Sequence, residues 1–89
     1  MPDLQDRFVQ AQQEVNGLTE RPDNNTLLKL YALYKQATEG DARGERPGLD
    51  FVRLAKFDAW SAIKGTSAEE SKRQYIELAA SLRRNQGER

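Results

Sequence analysis

Leu30-Tyr31-Ala32-Leu33-Tyr34-Lys35-Gln36-Ala37-Thr38 is the stretch that decides how this chain folds. Its apolar residues recur at steps of three and four, the period of an α-helix rather than a strand. At about 100° per residue the helix has two distinguishable sides. Leu30, Leu33 and Ala37 form an ordinary core stripe, whereas Leu28, Tyr31, Tyr34, Lys35 and Thr38 spread over the adjacent face, with Leu27 at the boundary. Tyr31, Tyr34 and Lys35 stand three and four residues apart and share that face. Aromatic rings beside an ammonium group suit a ligand that is both flat and anionic, such as a phosphorylated nucleotide. The same pattern also fits two tyrosines packed in a core with wet hydroxyls. Lysine is seldom fully buried, so Lys35 argues for a face open to water or to an anion.

Outward from this segment the helical pattern repeats. Before it, Leu4, Phe8, Ala11, Val15 and Leu18 make an amphipathic stripe, ended by Asn16-Gly17 and Arg21-Pro22. Asp23 or Asn24 can cap the helix of the Tyr31 segment, and Gly40 can close it in a left-handed conformation. Asp41 to Gly48 is rich in turn residues and long for a helix–helix connection. Phe51 to Ile63 is a third helical stretch, apolar on more than one side and therefore expected to be buried by neighbours, with Lys64-Gly65 closing it. Ser67-Ala68-Glu69-Glu70 reads as a reciprocal capping box for a fourth helix bearing Tyr75, Leu78, Ala79 and Leu82 on one stripe. Arg83-Arg84 favours that helix's negative end, and Arg83 to Arg89 is expected to be solvated and to fray. The prediction is a single all-α domain of four helices over residues 1–89.

Composition removes several functions. With 89 residues and a formal net charge of zero from 14 basic and 14 acidic side chains, the chain lacks the basic excess of a general nucleic-acid binder. It contains neither cysteine nor histidine, which excludes disulfides and thiolate sites and removes the commonest general base and zinc ligand. No metal site, cofactor or enzymatic activity is expected. The acidic, polar start Met1-Pro2-Asp3-Leu4-Gln5-Asp6 is unlike a signal peptide, and no apolar run is long enough to cross a bilayer. A cytoplasmic monomer without stable membrane insertion is expected.

Lys56 lies in the mostly apolar stretch Leu54-Ala55-Lys56-Phe57-Asp58-Ala59-Trp60, either as a snorkelling side chain or as a second ammonium group for an anion. Trp60 reads as core, Asp58 as a local capping or pairing group, and Tyr75 as core or site. Without further information the tyrosine face also fits a groove for a partner helix.

The order of motifs is more specific than any one of them. Tyr31-x-x-Tyr34-Lys35-Gln36-Ala37-Thr38, Gly40-Asp41, Glu45-Arg46-Pro47-Gly48, Asp50-Phe51, Ala55-Lys56-x-Asp58-Ala59-Trp60, Lys64-Gly65-Thr66-Ser67 and Tyr75-Ile76 span nearly the whole chain. Together they resemble the acyl-CoA-binding protein family, also called the diazepam-binding inhibitor family. The resemblance implies an up-down-down-up four-helix bundle that carries long-chain acyl-CoA esters without turnover. It implies ligand contacts at Tyr31, Ala32, Leu33, Tyr34, Lys35, Lys56 and Tyr75. Of these, Tyr31, Lys35 and Lys56 would gather around the 3′-phosphate of CoA, and Tyr34 and Tyr75 would line the nucleotide site. By position Ala11, Val15, Leu27 and Leu28 are candidates for the acyl groove. The chain departs from the family pattern where Asn16 and Val52 replace basic residues, although Arg53 is adjacent to the latter. Phe57 stands where an indole is common, and the connection from Gly48 to Asp50 is one residue shorter than in many relatives.

Overall fold

Four helices account for most of the computed structural model, which describes residues 2–87: α1 (Leu4–Asn16), α2 (Asn24–Glu39), α3 (Phe51–Ser61) and α4 (Ala68–Gly87). No strand forms among the described residues. Each helix begins where a short polar side chain can satisfy its free amides. Asp3 accepts from the Asp6 amide at 2.8 Å, Asp23 from Thr26 at 2.7 Å, and Asp50 from Val52 and Arg53 at 3.1 and 3.2 Å. The Ser67 hydroxyl accepts from the Glu70 amide at 3.0 Å. The reciprocal half of the expected capping box does not form, because the Glu70 carboxylate accepts instead from Gln74, one turn along α4. Gly40 ends α2 at φ 82° and ψ −153°, an extended positive-φ conformation essentially reserved for glycine rather than the left-handed helical cap expected.

Side-chain contacts fix the direction of each helix. The middle of α1 meets the first half of α4 through Phe8 and Tyr75, and its end meets the later part of α4 through Glu14 and Arg83. These two helices are therefore parallel. The end of α2 meets the segment leading into α4, where Gln36 donates to the Thr66 carbonyl, so α2 and α4 are antiparallel. Tyr31 of α2 lies beside Lys56 of α3, and Gln36 and Gly40 lie beside Trp60, so α2 and α3 are parallel. The result is up-down-down-up, and the long segment 40–50 returns the chain to the same end for α3. Helix pairs α1–α4, α2–α4 and α2–α3 pack directly.

Phe8, Ala11, Leu30, Leu33, Ala37, Tyr75 and Ala79 form the buried core, with Val15, Ile63, Ile76, Leu78 and Leu82 packed around it. Helix α3 is not buried as expected. It packs on α2, and only Trp60 of its residues is buried, while Phe51 and Val52 remain 84% and 65% exposed. The expected fraying also needs correction. Helix α4 continues to Gly87, and the Gln86 amide is bonded to the loop before α2 through Thr19 and to the Glu20 amide and carbonyl. Glu88 and Arg89 lie outside the described residues.

Gln36 is 1% exposed and joins three parts of the chain. Its amide nitrogen donates to Asp41 at 2.6 Å and to the Thr66 carbonyl at 2.9 Å, and its oxygen accepts from the Trp60 indole at 3.1 Å. The same indole N–H also reaches the Gly40 carbonyl at 2.8 Å. Asp41 accepts in addition from the Gly65 amide at 2.8 Å; that bond, then the one from Gln36, holds its carboxyl below the usual carboxylate range. Gln36→Ala should cost about 1–3 kcal/mol of stability, the price of buried polar groups left without partners. Urea denaturation at neutral pH measures this, with an unchanged midpoint as the contrary result.

Candidate functional site

The parallel pairing of α2 and α3 sets Tyr31 opposite Lys56, whose Nζ lies 5.2 Å from the centre of the Tyr31 ring. On one side of this pair is a cleft of about 390 Å³, walled by Leu27, Leu28, Phe51, Val52 and Ala55. Arg21 and Asn24 also border it, and the Arg21 guanidinium donates to Asn24 at 3.1 Å. On the other side is a hollow of about 300 Å³, bordered by Pro47, Arg53, Phe57 and Trp60. Tyr31 and Lys56 line both spaces and so form the partition between them. The first space is mainly aliphatic, and the second brings Arg53 beside Lys56.

Lys35 continues the cationic side along α2. Its Nζ lies 5.0 Å from the centre of the Trp60 indole and is ion-paired with Glu39 on the next turn. The Glu39 hydrogen bond raises the lysine above its ordinary range, outweighing partial desolvation, and the nearby Tyr31 and Tyr34 phenols act in the same direction. Lys35 is thus a cation near neutral pH.

A second aromatic group stands where the same face of α2 turns toward α1. Tyr34 is 40% exposed and stacks on Phe8, with ring centres 6.1 Å apart and planes at 25°. Tyr75 meets the same phenylalanine edge-on at 5.2 Å and 82°, but is only 6% exposed. Burial, and secondarily Tyr34, pushes the Tyr75 phenol above its usual range, which keeps it neutral. Lys72 places its Nζ 5.9 Å from the Phe8 ring.

The sequence-based site therefore divides. Tyr31, Lys35, Lys56 and Tyr34 form an arc along α2 and α3, while Tyr75 supports the arc from beneath through Phe8. Leu27 and Leu28 line the aliphatic cleft. Ala11 and Val15 do not, because α1 packs against α4 and holds Ala11 inside the core with Val15 packed against it. Ala32 and Leu33 are 2% and 1% exposed, so helical geometry turns their side chains away from the arc. Trp60 is buried, as its reading as core requires, and Asp58 pairs with Arg46 through two bonds of 2.9 Å. That guanidinium holds the Asp58 carboxyl below its usual range and ties the 40–50 segment to α3.

Phe51, Val52, Arg21 and Lys72 were not singled out as site residues by the sequence. Lys72 was detectable, since it precedes Tyr75 by three residues and shares its side of α4. Arg21 was not, because its place depends on how the loop between α1 and α2 folds back.

Neither cleft wall carries a histidine or cysteine, and no cluster of acidic residues that could hold a metal ion occurs among the described residues. Comparison with known proteins agrees with this fold. The family model described as acyl CoA binding protein matches residues 5–79. An acyl-CoA-binding protein homolog of Manduca sexta is 48% identical over 81 residues, covering 89% of this chain and 90% of that protein. The acyl-CoA-binding protein of Dictyostelium discoideum is 43% identical over 76 residues, covering 84% and 90%. Enoyl-CoA delta isomerase 2 of Rattus norvegicus is 44% identical over 79 residues, 88% of this chain, but only 20% of the isomerase is matched. Among solved structures, Oryza sativa acyl-CoA-binding protein 2 superposes with a TM-score of 0.89 at 36% identity, covering 93% of both chains.

Proposed function

Because the chain belongs to the acyl-CoA-binding protein family, we propose that it binds long-chain fatty acyl-CoA esters and carries them as a cytoplasmic pool, without turnover. The observation that carries this reading is the Tyr31–Lys56 partition between an aliphatic cleft and a cationic hollow. An acyl-CoA ester has the same division, an apolar tail joined to a phosphorylated nucleotide.

In this reading Leu27, Leu28, Phe51 and Val52 hold the tail, while Tyr31, Lys35 and Lys56 receive the ribose phosphate. Tyr34 supplies an aromatic surface to the adenine, with Tyr75 at its buried edge. Arg53 takes over part of the charge missing at Asn16 and Val52, since it borders the hollow beside Lys56. Each buried methylene contributes about 0.8 kcal/mol, and a charge-assisted phosphate contact about 1.5–3 kcal/mol. The tail therefore dominates affinity, and the phosphate contacts select the CoA ester over the free fatty acid. The chain acts as one monomeric domain that uses no metal or cofactor. The match to a fifth of the isomerase fits a binding module set beside a separate enzyme.

Calorimetric titration with palmitoyl-CoA should give a one-to-one complex far tighter than that with palmitate. Equal affinity for the two, or no binding, defeats the proposal.

Glu39 bears on the same site. Its carboxylate holds Lys35 in the free protein and repels an incoming phosphate. Glu39→Gln should tighten acyl-CoA binding by about two- to fivefold, the scale of one exposed charge interaction. The gain should shrink as salt is added, and titrations at two ionic strengths check it.

A further inference from the structure

We infer that Lys72 is a second phosphate anchor of the acyl-CoA site and meets the 5′-diphosphate of the CoA nucleotide. The inference rests on the carrier reading, which sets adenine on Tyr34 and the 3′-phosphate among Tyr31, Lys35 and Lys56. That leaves the other anionic group of the ligand head, the diphosphate on the 5′ side of the ribose, without a cation. Lys72 of α4 supplies one at the same aromatic group. Its Nζ lies 5.9 Å from the centre of the Phe8 ring, the ring on which Tyr34 stacks.

The charge of Lys72 is uncommitted. Lys35 is held by Glu39, and the Arg53 guanidinium lies 4.0 Å from the Asp50 carboxylate. No carboxylate pairs with Lys72 among the described residues: Glu69 faces Arg73 at 3.9 Å, and the Glu70 carboxylate accepts from Gln74. The lysine is half-buried beside a phenylalanine that is 1% exposed. A hydrocarbon stem is enough to cover such a ring, so packing does not account for the ammonium at its end. Attraction of an ammonium to a ring is weaker than a charge-assisted contact with phosphate. A diphosphate arriving beside Tyr34 therefore draws Nζ off the ring, and the long stem lets it follow.

Calorimetric titrations with palmitoyl-CoA compare wild type with Lys72→Met, Lys72→Arg and Arg73→Gln. Lys72→Met keeps an unbranched stem and removes the charge. It should weaken binding about three- to thirtyfold, the scale of a phosphate contact less the ring contact it replaces. Its salt dependence should be shallower than that of wild type, and its urea midpoint unchanged. Lys72→Arg should restore most of the affinity. Arg73→Gln, which removes the same charge from the next position, should bind as wild type does. Palmitoyl-dephospho-CoA lacks the 3′-phosphate, and the loss in Lys72→Met should persist with it. Disappearance of the loss with that ligand would put Lys72 at the 3′-phosphate and overturn the inference. Wild-type affinity in Lys72→Met, or an equal loss in Arg73→Gln, also overturns it, while tight binding by wild type leaves the carrier reading standing. Absence of palmitoyl-CoA binding by wild type overturns that reading, and the Lys72 contact with it.

Discussion

Replacing Phe8 by alanine should lower the unfolding free energy by about 3–5 kcal/mol, the range for removing a large aromatic side chain from a packed core. The ring is 1% exposed and meets both Tyr34 and Tyr75. Its removal leaves a cavity between α1, α2 and α4 and takes the backing from an exposed tyrosine of the proposed nucleotide site. A stability loss and a weaker ligand complex should therefore appear together. Phe8→Leu refills much of the volume without the aromatic plane and should recover more stability than affinity. Urea denaturation and calorimetry on the two variants separate these effects. A Phe8→Ala protein as stable as wild type would contradict the central place given to this ring.

Lys56→Ala should reduce acyl-CoA affinity by about 10- to 150-fold, the equivalent of one charge-assisted phosphate contact. It should leave stability within about 0.5 kcal/mol, because the side chain lies on the surface. Tyr31→Ala should weaken binding in the same direction and also affect the tail, since this ring borders the aliphatic cleft as well as the hollow. The lysine variant should lose part of the salt dependence, with Lys35 and Arg53 supplying the rest, whereas the tyrosine variant should retain it. Normal binding by both variants would remove the phosphate-site assignment.

Helix periodicity and capping chemistry were legible because both are written locally. Asp23, the Leu30/Leu33/Ala37 stripe and the Ser67 hydroxyl act as their spacing predicts. The error over α3 has a physical cause. Apolar residues on two sides of a helix show that two surfaces avoid water, without specifying that protein covers both. Here α2 covers one side, and Phe51 and Val52 are left at a cleft rim. Gln36 was hidden for the opposite reason. A polar residue at a helical core position is stable only with partners, and these come from Asp41, Trp60 and Thr66, set by the fold of two connecting segments. Ala11 and Val15 show the remaining gap: a helical face can be read from the chain, but which helix it meets cannot.

The pairing of α1 with α4 also orders events during synthesis. The 13-residue α1 is too short to be durable alone in water, and its packing surface is contributed by the last helix. At about 5–20 residues per second, the ribosome takes roughly 3–10 s to pass from the end of α1 to the start of α4. Through that interval Phe8 and Ala11 have no α4 to pack on, while α2 and α3 can already associate. The parallel α1–α4 pair can therefore close only after α4 has been made.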